Sequence, residues 1–276
     1  MPTLSQYSQH LSGLIPAIGS AEFPQMLIQM LQDLVPCQDA TILLYPATDL
    51  PVIEYFDIPE GGHSTLDVFI KGAFLLDPYY LAATRDRKFG VFRLRDLSPT
   101  GFKDSEYYKA WYRSCGYQDE CGYLLPIGEE GFVNIALGKI TPRASFTKRE
   151  RTILEDILPT VETLCQQHWS DSSTTASSVN LRAQLNSALD TFGSSLLTER
   201  EAQVINLVLH GHSTKTLADK LSISMETVKL HRKHAYAKLE VSSQAELFYL
   251  FLDSVMSAKD YDGGDPLVAY LQPPKS

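Results

Sequence analysis

The sequence predicts an α+β chain in two parts: an antiparallel sheet between helices (α-β-α) over residues 1–169, then an all-α four-helix domain over residues 196–258. Three observations carry this. Two pairs of short apolar segments, ATILLYP with PVIEYFD and GYLLPI with FVNIALGKI, are each joined by a turn-length spacer, as antiparallel hairpins are. Small polar residues, SDSSTTASS at 170–178, then interrupt the chain where no core can form. Beyond them the apolar stretches take helical spacing, and Ser or Thr stands at their starts.

The elements follow in order. Residues 20–36 place Phe23, Met26, Leu27, Met30, Leu31 and Leu34 on one helical face, opened by Ser20 and stopped by Pro36. After the first strand pair, residues 64–84 read as mostly helical around a break at Asp77-Pro78, and 103–114 as helical again. The second pair turns at Gly-Glu-Glu-Gly. Thr147 and Glu150 make a capping box for a helix to about His168, which Pro159 is expected to kink. Residues 170–195 read as a linker and a connector helix, VNLRAQLNSALDTFG. Thr198 with Glu201 then caps a helix that closes at Gly211, and Ser213 opens a second. The turn SIS leads to a third helix capped by Ser224, and Ser243 with Glu246 opens a fourth. A three-residue turn between the second and third spells a helix-turn-helix, and 259–276 is left as a C-terminal tail.

Composition excludes several classes. No apolar run reaches the roughly 18 residues of a membrane span. The start MPTLSQYSQHLSGLIPAIG lacks the basic and apolar regions of a signal peptide, so a cytoplasmic protein with no membrane partner is expected. Cys37, Cys115, Cys121 and Cys165 are scattered and read as reduced thiols. There is no Gly-rich phosphate loop, no HExxH and no Cys/His or Ser/His/Asp set at a telling spacing. No enzyme activity, catalytic residue, metal or cofactor is therefore expected.

With 24 bases and 33 acids the chain carries a net charge of −9, yet SISMETVKLHRKHAYAKL at 222–239 concentrates cations. Over 225–239, Lys229, Arg232, Lys233 and Lys238 stand against Glu226 alone, a net charge of +3. Val228, His231 or Arg232, Ala235 and Leu239 form a core stripe, leaving Lys229, Leu230 and Lys233 outward with His234 and Lys238 on the flanks. An isolated basic face is most simply a solvated one. On the second helix of a helix-turn-helix it points instead to DNA: cations neutralise phosphates, outward side chains reach base edges, and the N–H groups at the Ser224 start face a phosphate.

The segment LTEREAQVINLVLHGHSTKTLADKLSISMETVKLHRKHAYAKLEVSSQAEL closely resembles the C-terminal DNA-binding domain of LuxR-type (NarL-type) bacterial transcription regulators. The matching motifs are LT-x-RE, G-x-S at 211–213, A-x-x-L-x-I-S at 218–224, TVK-x-H at 227–231 and KL-x-V at 238–241. Many members have arginine at Gln244 and a larger aliphatic residue at Ala235. The resemblance implies that Lys229, Leu230 and Lys233 face bases, while Thr214, Lys215, Thr227, Arg232 and Lys238 lie near phosphates. His231 takes a structural position. Double-stranded promoter DNA is the expected partner, with RNA polymerase a further one. The fourth helix carries Leu247, Phe248, Leu250, Phe251, Leu252 and Val255, more apolar surface than so small a domain needs, which points to a homodimer.

The first part is read as a sensor. A phosphoreceiver would need parallel α/β alternation and an acid pair after the first strand, where only Asp49 stands. LLDPYYLAA is similar in part to the GAF-like (GAF/PAS-like) domains that bind acyl-homoserine lactones, although Ser64 and Val68 stand where an aromatic pair is expected. The stretch from Tyr79 to Tyr123 is rich in rings, and rings beside carboxylates suit a cation. The candidate ligand residues are Asp77, Tyr79, Tyr80, Tyr108, Trp111, Tyr112, Asp119 and Glu120. Core packing is the simpler account of any single ring. The expected effector is a small amine or quaternary ammonium compound; an acyl lactone using Asp77 as acceptor, or regulation by protein contact without a ligand, stands as the alternative.

Overall fold

A computed structural model of the chain describes residues 3–57, 69–70, 73–110, 112–170, 181–257 and 263–271. Helix α1 (Leu4–Leu14) opens with a capping box in which Thr3 and Gln6 satisfy each other's backbone N–H groups. Helix α2 (Phe23–Leu34) has Pro24 in its first turn, where a missing N–H costs nothing, and buries Phe23, Leu27, Met30, Leu31 and Leu34. Strands β1 (Asp39–Tyr45) and β2 (Val52–Asp57) pair antiparallel, with a bulge between Ile42 and Leu43. A short strand, β3 (Gly90–Arg93), was not anticipated. It pairs with β4 (Asp119–Ile127), which forms the second hairpin with β5 (Gly131–Lys139). The result is one antiparallel sheet in the order β2-β1-β5-β4-β3.

Two further helices, α3 (Pro78–Thr84) and α4 (Leu94–Leu97), flank β3 in the chain. The segment 103–114 is broken rather than continuous: 3-10 turns at 102–104 and 112–115 flank α5 (Glu106–Ala110). The Ser105 hydroxyl interrupts the run, donating back to the Phe102 carbonyl and accepting from the Tyr108 N–H. Helix α6 (Lys148–His168) begins with the expected Thr147–Glu150 capping box and runs through Pro159 to His168. With α1 and α2 it supplies one side of the core, where Leu27, Leu31, Leu154, Val161 and Leu164 join Ile42, Tyr123, Ile135 and Leu137 from the sheet. The buried Tyr123 hydroxyl is satisfied by the Leu154 carbonyl at 3.0 Å.

The chain divides into two compact units, and the division differs from the expected boundary at 169. Residues 1–63, 81–97 and 116–180 form the first; residues 64–80, 98–115 and 181–276 form the second. Within the second unit, Ala73–Leu76 and α5 are packed against helices from the C-terminal part of the chain. The polar stretch read as a linker falls, apart from Ser170, outside the described residues.

The second unit contains α7 (Leu181–Thr191), α8 (Glu199–Leu209), α9 (Thr214–Leu221), α10 (Met225–Lys238), α11 (Gln244–Ser257) and α12 (Pro266–Leu271). Thr198, Ser213 and Ser224 cap α8, α9 and α10 as expected. At α11 the box is shifted: Ser243 accepts the Glu246 N–H, but the Glu246 carboxylate reaches back to the N–H and hydroxyl of Ser242. The 73–76 turn packs on α7 and α5 packs on α11. Thr100 accepts the Ser213 N–H at 2.9 Å, and a Cβ on Gly101 would come within 3.1 Å of the Gly211 carbonyl. Only two glycines allow these backbones so close together.

Candidate nucleic-acid interface

Helix α10 is held by a narrow set of contacts. It packs against α8 and α9 and buries Val228, Ala235 and, at its cap, Leu239, while His231 and Arg232 are half-buried. Lys229, Leu230 and Lys233 face outward, and Leu230 is 51% exposed. An aliphatic side chain that large gains nothing in water; between two cations on a helix-turn-helix it is suited to a base edge such as a thymine methyl. Ser224 accepts the Thr227 N–H, and their hydroxyls share a hydrogen bond of 2.8 Å. Thr214 and Lys215 occupy the first turn of α9, the lysine exposed. Lys229 also approaches Glu226 at 3.4 Å, a loose surface pair of little energetic weight.

Beside this face lies an open concavity of about 630 Å³, lined by Lys229, Arg232, Lys233 and Tyr236 from α10 and by Val241 to Gln244 ahead of and at the start of α11. It joins cations to hydroxyls and to a helix start, groups that contact phosphates. No signal in the sequence sets Tyr236 and Ser242 apart, since their place in this lining depends on where α11 begins.

Lys238 departs from the expected arrangement. Its ammonium donates to Glu201 at 2.6 Å, and the Glu201 side chain is 5% exposed against 40% for the lysine. The lysine thus ties the end of α10 to the start of α8 instead of standing free for a phosphate. The hydrogen bond from Lys238, helped by the Thr198 N–H, holds the Glu201 carboxyl down at about 2.

The candidate ligand residues are not gathered into one cage. Asp77, Tyr79, Tyr80, Tyr108 and Tyr112 belong to the second unit, whereas Asp119 and Glu120 begin β4 in the first; Trp111 lies outside the described residues. Asp77 is the cap of α3: Oδ1 accepts the N–H groups of Tyr79 and Tyr80, and Oδ2 accepts the Tyr107 hydroxyl at 2.5 Å. Burial pushes its carboxyl above the ordinary value, against those hydrogen bonds. The Tyr80 hydroxyl pairs with Asn186 of α7, and Tyr108 and Tyr112 pack with Phe102. Asp119 accepts from Arg93, Ser145 and the Phe146 N–H. Burial would raise its carboxyl, but those three donors hold it below the ordinary value. A cation would have to displace Tyr107 from one acid or Arg93 from the other.

The surplus apolar surface of α11 is also accounted for within the chain. Leu247, Phe248, Phe251, Leu252 and Val255 are all buried, and α11 packs on α5, α7, α8 and α12, while Tyr249 is well exposed, at 54%. Among the described residues no helix is long and apolar enough to cross a membrane.

Comparison with known proteins bears on this geometry. Residues 195–251 match the family described as "Bacterial regulatory proteins, luxR family". A protein of Aeromonas salmonicida described as an HTH-type transcriptional regulator in the exeN 3′ region is 35% identical over 189 residues, 66% of this chain and 96% of that protein. The oxygen regulatory protein NreC of Staphylococcus haemolyticus is 36% identical over 52 residues, 19% of this chain and 24% of its own length. Among solved structures, the VqsR LBD domain of Pseudomonas aeruginosa has a TM-score of 0.52 and 25% identity, covering 59% of this chain and 95% of that one.

Proposed function

Because the chain belongs to the luxR family of bacterial regulatory proteins, we propose that it is a cytoplasmic, ligand-responsive transcription regulator that binds promoter DNA as a homodimer through α9 and α10. The observation that carries the reading is the outward stripe of Lys229, Leu230 and Lys233 on a helix whose opposite side is fixed by Val228 and Ala235. Lys215, Thr214, Thr227, Arg232 and the hydroxyls of Ser224 and Ser242 flank it as phosphate contacts. Two copies would set their α10 helices about one DNA turn apart and favour an imperfect inverted repeat. RNA polymerase is the natural further partner of a protein so placed at a promoter.

Residues 1–169 serve as the sensor, consistent with the likeness to the VqsR LBD domain. A small molecule acts by binding the DNA-competent conformation more tightly than the other. An amine or quaternary ammonium compound would have to take over a carboxylate that is already hydrogen-bonded; an acyl lactone at Asp77 would meet the same competition. A thermal-shift screen of amines, acyl lactones and carboxylates, repeated on Asp77→Asn, separates these classes.

The experiment for DNA is selection of a binding site from random duplexes followed by gel shift. Affinity should fall steeply with salt, and Lys233→Ala should weaken the selected site by about 1–3 kcal/mol. Equal binding by the parent and the Lys229→Ala/Lys233→Ala double variant would overturn the assignment.

A further inference from the structure

The end of the described chain folds back onto the segment between α7 and α8 that precedes the helix-turn-helix. Gly263 and Gly264 both have φ of +103°, a conformation that favours glycine, and they turn the chain so that Asp265 faces the segment joining α7 to α8. One carboxylate then satisfies four donors. Its Oδ1 accepts the Gly193 N–H at 2.8 Å and the Leu267 N–H at 3.0 Å; its Oδ2 accepts the Ser195 N–H at 2.8 Å and the Ser195 hydroxyl at 2.6 Å. The Thr191 hydroxyl donates to the Gly264 carbonyl beside it. That segment turns tightly: Gly193 has φ of +78°, and a Cβ there would lie 2.9 Å from Leu197. Immediately after Asp265, α12 packs on α11, with Pro266 and Leu267 buried.

This attachment is specific but small. Helix α12 has six residues, too few to be stable alone, and its Val268, Tyr270 and Leu271 are exposed. Its partner, α11, is the opposite case, a helix with apolar residues at 247, 248, 250, 251, 252 and 255. Removal of a short cover from such a helix bares apolar surface, and a second α11 offers the same surface in a self-complementary, two-fold arrangement.

We propose that residues 263–271 are an intramolecular latch: Asp265 locks the α7–α8 hinge while α12 covers α11, and release of the latch frees α11 to pair with α11 of a second copy. The pairing rests on the dimeric reading above; the latch does not depend on DNA. It gives the chain a self-competing interface, in which the tail and a second copy exclude one another and any signal that moves the hinge shifts the balance.

The test is sedimentation velocity on the full chain, on Asp265→Ala, and on a chain ending at Ser257, all without DNA. The full chain should sediment as a monomer at concentrations where both variants are dimers, and a synthetic peptide of residues 259–276 should return the shortened chain to monomer. In Asp265→Ala, the Gly193 and Ser195 amides should exchange hydrogen about tenfold faster or more, the loss of a charge-assisted bond. One oligomeric state for all three proteins overturns the proposal, as does unaltered exchange at Gly193 and Ser195. If the shortened chain fails to fold, shown by lost helical dichroism, Asp265→Ala with its tail in place decides. Failure of the DNA reading would appear only in the gel shift and would leave the sedimentation result standing.

Discussion

Lys238→Ala separates a structural lysine from a DNA-contacting one. The ammonium is 2.6 Å from Glu201, whose side chain is almost fully buried while the lysine is 40% exposed. A hydrogen bond to a charged group contributes about 1.5–3 kcal/mol, and half-exposure of the ammonium discounts that toward the lower end. Removal does not strand the carboxylate, because Thr198 still donates its N–H at 2.8 Å. The expected loss is therefore about 1–2 kcal/mol, including a small part for a cation in the last turn of α10. Urea unfolding followed by far-ultraviolet dichroism measures it. The pH dependence has a definite sign: the Glu201 carboxyl is depressed to about 2, so its contribution is present above the ordinary value of 4.5 and is lost as pH falls from there toward 2. That acid-side loss should shrink in the variant. In DNA titrations at several salt concentrations, Lys215→Ala should reduce the salt slope by about 0.9 per copy, whereas Lys238→Ala should leave it nearly unchanged. A Lys238→Ala protein of parental stability whose slope falls as far as that of Lys215→Ala would refute the reasoning.

Two other substitutions follow from local geometry. Ser222 ends α9 in the left-handed region at φ 54° and ψ 45°, so Ser222→Gly should raise stability by about 0.5–1 kcal/mol, read as a higher urea midpoint; a lower midpoint would mean that the serine side chain contributes something the backbone does not. Asp39 is 1% exposed at the start of β1 and its Oδ1 has no hydrogen-bond partner; burial pushes its carboxyl up to about 6, against a hydrogen bond from Tyr117. A raised carboxyl contributes most below its ordinary value of 3.8 and loses that contribution as pH rises through about 6. Asp39→Asn should therefore be more stable than the parent at pH 8 by up to about 3 kcal/mol and nearly equal to it at pH 4, and no gain at pH 8 would show that Asp39 finds a partner when ionised.

The helix-turn-helix was legible almost residue by residue. Thr198, Ser213 and Ser224 cap the helices they were expected to cap, and Lys229, Leu230 and Lys233 face outward as their spacing required. Both hairpins form where alternation and turn residues put them. β3 was missed because a four-residue strand on a sheet edge has too few alternations to register. The ligand reading fared differently. The sequence offers Asp77 as an acceptor for a ligand and Asp119 as part of a cage; in the fold Asp77 caps a helix and Asp119 pairs with Arg93.

The difference is one of range. Caps, turns and facial spacing are decided by residues within about four of each other, so they can be read along the chain before anything has folded. The partner of a long polar side chain is chosen among groups brought close by folding: Lys238 lies 37 residues from Glu201, Arg93 26 from Asp119, and Asp265 70 from Ser195. Where such a charge is desolvated, as at Arg93 and Asp119, leaving it unpaired costs more than any local preference; in all three pairs, which partner lies nearest is a property of the packed chain alone.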